Sequence, residues 1–197
     1  KGSRILEKKF KEQLEQLAMN NLYFKINFNV IQSSDENDFM EYNGQKIKYF
    51  QTGIVNIEFL ISPNKGEPLK SLMKIASGGE LSRIILALKS VLAENDEITT
   101  MIFDEIDAGI GGKVAISLYE MLKKLARQKQ IICITHLPQI AASGNRNFMI
   151  QKKVSNGRTV SAIEVLDRDK KINEIARMLS GHITEVSINH AKEIISK

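Results

Sequence analysis

Two short apolar runs limit what this chain can fold into. "MIF" at 101–103 and "IICI" at 131–134 are almost unbroken, and each stops at polar residues, Asp104-Glu105 in one case and Thr135-His136 in the other. Between them, residues 113–127 space their apolar side chains at helical intervals. Continuous apolar strands alternating with helices predict an α/β arrangement, a mainly parallel sheet covered on both faces. The predicted spans are helix 80–93, strand 99–103, helix 113–127, strand 130–135, strands 148–153 and 159–165, and two terminal helices from residue 171.

The first third of the chain has another rhythm. Leu6, Phe10, Leu14 and Leu17 recur at helical spacing between residues 4 and 20, predicting a charged amphipathic helix, either a surface helix or the stub of a coiled coil. Leu22, Phe24, Ile26, Phe28 and Val30 then alternate with polar residues, the period of a strand with one buried face, and "GIVNIEFLIS" reads as a second strand. The polar connection between them carries Asn43-Gly44, a turn signal, and together these suggest an antiparallel sheet. "PNKGEPL" closes the region as a loop.

At 197 residues and 43% hydrophobic, the chain can bury a substantial core. Its single cysteine, Cys133, excludes an internal disulfide and sits in an apolar run, as expected of a core residue in a reducing compartment. No stretch reaches the roughly 18 apolar residues of a membrane span, and no signal-peptide pattern opens the sequence. A cytoplasmic location without membrane contact is expected. The chain starts at Lys1 rather than methionine, so a fragment of a longer protein is also expected. The net charge of +5 is dispersed in groups such as "EKKFK" and "LKKLARQK", which suit solvated helix faces as well as a nucleic-acid partner.

Three segments carry residues that chemistry uses. In "KIASGGELSRIILALKSVLA", residues 74–93, Ser77, Gly78 and Gly79 stand at the start of a helix, where backbone N–H groups and the helix dipole favour a phosphate. Glu80 and Ser82 also suit a simple capped first turn. In "TTMIFDEIDAGIGG", Asp104 and Glu105 end a strand at the edge where open α/β sheets bind ligands. One carboxylate there could hold Mg²⁺ while the other orients and deprotonates a water. In "QIICITHLPQIAA", His136 ends the adjacent predicted strand and could donate to charge developing on a phosphate. A nucleotide triphosphatase also needs a G-x-x-x-x-G-K-[ST] loop. "DAGIGGKV" comes nearest, but Asp107 replaces the first glycine and Val114 the Ser/Thr, so the chain holds half a site.

"ASGGELSR", "MIFDEIDAGIGG" and "ITHLPQIA", in this order, resemble the signature, Walker B strand with D-loop, and switch histidine of ABC-type ATPase heads, in particular the SMC-like heads of bacterial DNA repair. "FLISPNKGEPLKSLMKIASGGELSR" and "EIARMLSG" match that branch as well. The similarity runs from about Asn56 to the end. Transport ATPases usually carry Gln and Pro where Glu80 and Ile106 stand, and "IDAGIGG" departs from the D-loop of SMC heads.

The resemblance implies the C-terminal lobe of a P-loop head, with residues 1–21 the end of a coiled-coil arm and 22–197 part of the head. It implies an ATPase acting in DNA double-strand break repair and recombination, with an N-terminal half of the same protein supplying the Walker A loop. Two heads would form a homodimer around ATP, on DNA, and the protein would be nucleoid-associated when so bound. Glu105 would be the general base, His136 would sense the terminal phosphate, and Asp104 would support Mg²⁺. Ser77, Gly78, Gly79 and Glu80 would contact nucleotide held by the other head, and Asp107 would lie at the head–head contact. This chain alone would be inactive. The competing expectations are a head part of another SMC-type or ABC ATPase, and a nucleotide-independent DNA or protein interaction module.

Overall fold

The computed structural model describes all residues except Lys1, Glu36, Asn37, Lys65, Ile75, Ala76, Ser77, Asn156, Gly157 and Lys197. The chain divides into two compact units, Lys1–Ser77 and Gly78–Lys197.

In the first unit, α1 (Gly2–Gln16) spends its apolar face on β1 (Tyr23–Val30). The Phe10 ring meets Phe24 edge-on at 4.4 Å between centroids, and the Ile26 amide donates to the Glu7 carboxylate at 2.9 Å. Phe24 and Ile26 are buried on β1 but Phe28 and Val30 are exposed, so the predicted one-sided burial holds only over the first part of the strand. β2 (Met40–Tyr42) and β3 (Gln45–Ile47) form a hairpin whose two turn residues, Asn43 and Gly44, have φ of 50° and 74°. Two positive φ values give the turn whose twist matches its strands, which is why Asn-Gly signals it. β4 (Val55–Ser62) pairs antiparallel with β1 in the register Tyr23↔Ser62 to Val30↔Val55, and β5 (Lys70–Ser71) extends the sheet.

In the second unit, α2 (Gly78–Leu92) leads to β6 (Thr100–Phe103), α3 (Gly112–Leu125) and β7 (Gln130–Cys133). β6 and β7 are parallel, with Met101 opposite Ile131 and Phe103 opposite Cys133. A right-handed crossover through a helix is the usual way to join parallel neighbours. Met101 and Phe103 are buried, as are Leu86 of α2 and Leu118 of α3. On the opposite face, Ile102 is 67% exposed, and Ile132 and Ile134 are exposed too. Burial on both faces, expected from the apolar runs, is thus corrected to burial on one.

The parallel layer is also smaller than expected. After α4 (Pro138–Ser143), β8 (Asn147–Ser155) and β9 (Arg158–Leu166) pair antiparallel from Asn147↔Leu166 to Ser155↔Arg158. Only two residues separate them, far too few for a parallel crossover. Among the described residues, three of the four sheets are antiparallel and parallel pairing is confined to β6–β7. α5 (Arg168–Ser180) and α6 (Glu185–Ile195) then close a small core of Ala142, Ile172, Ile175, Ala176 and Ala191 with α4. Their ends follow capping chemistry: Asp167 accepts from the Lys170 amide at 2.9 Å, Gly181 turns left-handed at φ 78°, and Thr184 with Ser187 forms a capping box. No described helix is long and apolar enough to cross a membrane.

Candidate functional site

Every described site residue belongs to the second unit, and the site is organised around the turn 104–108 that follows β6. Strand pairing ends at Phe103. Asp104 and Glu105 therefore leave the alternation that would have turned them to opposite faces. Glu105 takes a left-handed backbone, φ 54°, and its carbonyl accepts the Ala108 amide at 3.0 Å. For a residue with a Cβ this conformation costs on the order of 1–2 kcal/mol. Such strain concentrates where function requires a particular placement. The Asp104 and Glu105 side chains are exposed, and neither forms a hydrogen bond or ion pair with another described residue.

α2 grips this turn from one side. Ser82 Oγ donates to the Asp104 carbonyl at 2.9 Å, and Arg83 Nη1 donates to the carbonyls of Ile106 at 3.2 Å and Ala108 at 2.9 Å. Arg83 is buried, its Nε has no hydrogen-bond partner among the described residues, and burial holds its pKa below the ordinary value against the opposing influence of Glu80. The two described signature glycines face the same turn. A Cβ on Gly79 would stand 2.9 Å from both the Glu105 carbonyl and the Ala108 methyl, and one on Gly78 would stand 2.9 Å from the Glu105 carboxylate. Close approach within one chain thus explains Gly79 without any ligand. Gly78 begins a 15-residue helix, with Glu80 exposed in its first turn; Ser77 lies outside the described residues.

The other side of the turn faces the end of β7. Asp107 is buried, and its Oδ2 accepts from Thr135 Oγ1 at 2.5 Å and from the amides of His136 at 2.9 Å and Leu137 at 3.2 Å. His136 Nδ1 lies 3.2 Å from the same oxygen. Burial pushes the Asp107 pKa up, but the Thr135 hydroxyl, the His136 amide and the His136 ring together outweigh it and hold the carboxyl below its usual value. Cys133 behaves as a core thiol: burial first, then the charges of Asp107 and Asp104, push it up to about 12.

The structure thus joins Asp107 to His136, and Gly78 and Gly79 to the Glu105 turn, while the Asp104 and Glu105 side chains stay free among the described residues. Sequence reading missed Arg83 and Thr135, although both stand inside the quoted motifs; their positions in "GELSR" and "ITHL" were the available signal. For a cation, the described residues hold no group of three or more His, Cys, Asp or Glu side chains. Mg²⁺ is commonly held by one or two carboxylates with phosphates and water, so adjacent exposed acids at a strand tip fit a cation that arrives with a nucleotide.

The strand tip with its two exposed acids, the glycine-led helix that grips it and the histidine loop tied to it form one α/β lobe. In fold, the chain is similar to the Smc head domain with a coiled coil and joint from Pyrococcus yayanosii, at a TM-score of 0.53 and 19% identity over 90% of this chain and 29% of that one. It matches no protein-family model. In sequence it is 41% identical over 186 residues to the DNA repair protein RecN of Bacillus subtilis strain 168, covering 94% of this chain and 32% of that protein. To RecN of Vibrio cholerae it is 35% identical over 194 residues, covering 98% of this chain and again 32% of the relative. The chain belongs to the RecN family, as a C-terminal portion of it. It spans about a third of the length of the relatives it matches.

Proposed function

We propose that this chain is the C-terminal part of an ATP-hydrolysing head that acts in DNA double-strand break repair and recombination, and that the remaining part of the same protein supplies the Walker A loop. The observation that carries this is the Asp104-Glu105 tip, where two exposed acids leave the strand together and one of them is held in a left-handed backbone.

In this reading, Asp104 faces the nucleotide's Mg²⁺, directly or through water. When bound, that cation neutralises charge on the phosphates. Glu105 accepts a hydrogen bond from the attacking water, orients it in line with the terminal phosphate and takes its proton as the bond to phosphorus forms. The left-handed turn aims this carboxylate away from the strand. His136 offers an exposed ring to the oxygens of the same phosphate. The backbone N–H groups of Gly78 and Gly79, with Ser77 and Glu80, meet nucleotide held by a second head, so turnover requires a homodimer closed around ATP. Gly79 serves its own turn as well, which links the surface offered to the other head with the general base of its own. Residues 1–21 are the end of a coiled-coil arm, DNA is the polymer acted on, and the protein works in the cytoplasm, on the nucleoid when bound to DNA. The chain by itself is inactive for want of the loop.

Glu105→Gln in the full-length parent tests the reading. ATP binding and ATP-dependent dimerisation are expected to persist while hydrolysis falls on the order of 10²–10⁴-fold. Undiminished turnover would remove Glu105 from this role. DNA binding indifferent both to ATP and to this substitution would favour the nucleotide-independent module.

A further inference from the structure

The Asp107 side chain is 2% exposed. Oδ2 is occupied from within the chain by the Thr135 hydroxyl and the amides of His136 and Leu137. The fourth group beside it is His136 Nδ1, at 3.2 Å. The ring it belongs to is otherwise open: the His136 side chain is 69% exposed, and Nε2 has no hydrogen-bond partner among the described residues.

A carboxylate only accepts hydrogen bonds, so the imidazole nitrogen facing it is the one that carries a proton. An acid that fixes one nitrogen of a histidine sets both the ring's orientation and the role left to the other nitrogen. We propose that Asp107 is a positioning residue, holding His136 with Nδ1 protonated and turned inward so that Nε2 is the atom presented to the terminal phosphate.

This deepens the ATPase reading and rests on it for the identity of the phosphate. A consequence follows for His136. With Nδ1 protonated, a neutral ring has only a lone pair at Nε2 and cannot donate to a phosphate oxygen. Donation from Nε2 therefore requires a ring protonated at both nitrogens. The same carboxylate fixes the backbone of the loop through two amides, so ring and loop are set by one group. Asp107 acts through His136 and does not itself touch the nucleotide.

The test uses the full-length parent with ring-¹⁵N-labelled histidine, the His136 resonances being assigned by their loss in His136→Ala. In the unsubstituted protein they are expected to report a protonated Nδ1, and in Asp107→Asn that preference should disappear. For ATP-Mg²⁺ turnover, Asp107→Asn should lower kcat on the order of 10–100-fold, the scale of other groups that orient a functional histidine, with KM little changed. In the His136→Ala background the same substitution should have no further effect on kcat, because both changes remove one unit. Independent, multiplying losses in the two backgrounds would overturn the inference. So would a neutral His136 protonated only at Nε2 in the unsubstituted protein, a result that needs no variant to fold. If the unsubstituted parent binds but does not hydrolyse ATP, the proposed function falls, while the ring signature still decides the positioning role.

Discussion

β6 and β7 run in parallel register and end together at Phe103 and Cys133, but the chain leaves them by opposite devices. After Phe103 it enters a turn with a non-glycine residue at φ 54°, and the two acids there are free among the described residues. After Cys133 it enters a loop that surrenders a hydroxyl and two amides to one buried oxygen. A general base has to point outward and keep its proton affinity available. A sensing loop has to be held still. Under the proposed function, three acids within four residues, Asp104, Glu105 and Asp107, would serve these opposite needs, since two are exposed and one is buried.

The largest break in this comparison comes from deleting the inward acid. Asp107→Ala leaves the Thr135 hydroxyl and two amides without their acceptor in a buried place, a loss of roughly 3 kcal/mol. Urea unfolding followed by circular dichroism checks it, and a loss under about 1 kcal/mol would mean that water replaces the carboxylate. The pH dependence has a definite sign. The folded Asp107 pKa lies below its unfolded value of about 3.9, so its contribution is fully present above that value and is lost as pH falls through it toward the folded value. Asp107→Asn should therefore flatten the acid limb of the stability curve below about pH 4 and leave the neutral limb parallel to the unsubstituted chain.

The contrast between these acids was not legible in "DEIDAGIGG". Sequence placed the acids at a strand tip, since the apolar run stops there, and placed His136 at the neighbouring tip for the same reason. Which acid turns inward depends on the φ of Glu105 and on donors 28 to 30 residues away, and no local pattern carries either. The open face of β6–β7 was hidden for a related reason: Ile102, Ile132 and Ile134 read as buried because apolar residues in a strand usually are, whether or not the covering segment is at hand. The β8–β9 pairing, by contrast, could have been read. Asn156-Gly157 stands between two strand-like runs and carries the same turn signal as Asn43-Gly44.

A smaller effect separates the two described signature glycines. On Gly79, a methyl group would meet backbone at the Glu105 carbonyl and the fixed Ala108 Cβ, both at 2.9 Å. Gly79→Ala should cost about 1–3 kcal/mol, as overpacked sites do. On Gly78, the methyl meets only the end of the Glu105 side chain, which can swing away. Gly78→Ala should change stability by less than about 1 kcal/mol, helped by alanine's better helix propensity. In the parent protein, however, the displaced Glu105 carboxylate should lower turnover. A Gly78→Ala protein of normal stability and normal turnover would detach this glycine from the general base and leave it a role toward the other head alone.

The smallest effect concerns Glu105 itself and has the opposite sign. Glu105→Ala and Glu105→Gly remove the same carboxylate, so neither should hydrolyse ATP in the parent protein, and their difference reports backbone alone. Alanine keeps the left-handed penalty of about 1–2 kcal/mol, whereas glycine escapes it and loses about 0.5–1 kcal/mol through the greater freedom of its unfolded chain. Glu105→Gly should therefore be the more stable of the pair by roughly 0.5–1 kcal/mol. Equal stability, or an advantage for alanine, would show that α2, through Ser82 and Arg83, holds the turn without strain at 105. The outward reach of the proposed general base would then be a by-product of packing. A measured advantage for glycine would mean that the fold gives up stability at the residue proposed as general base.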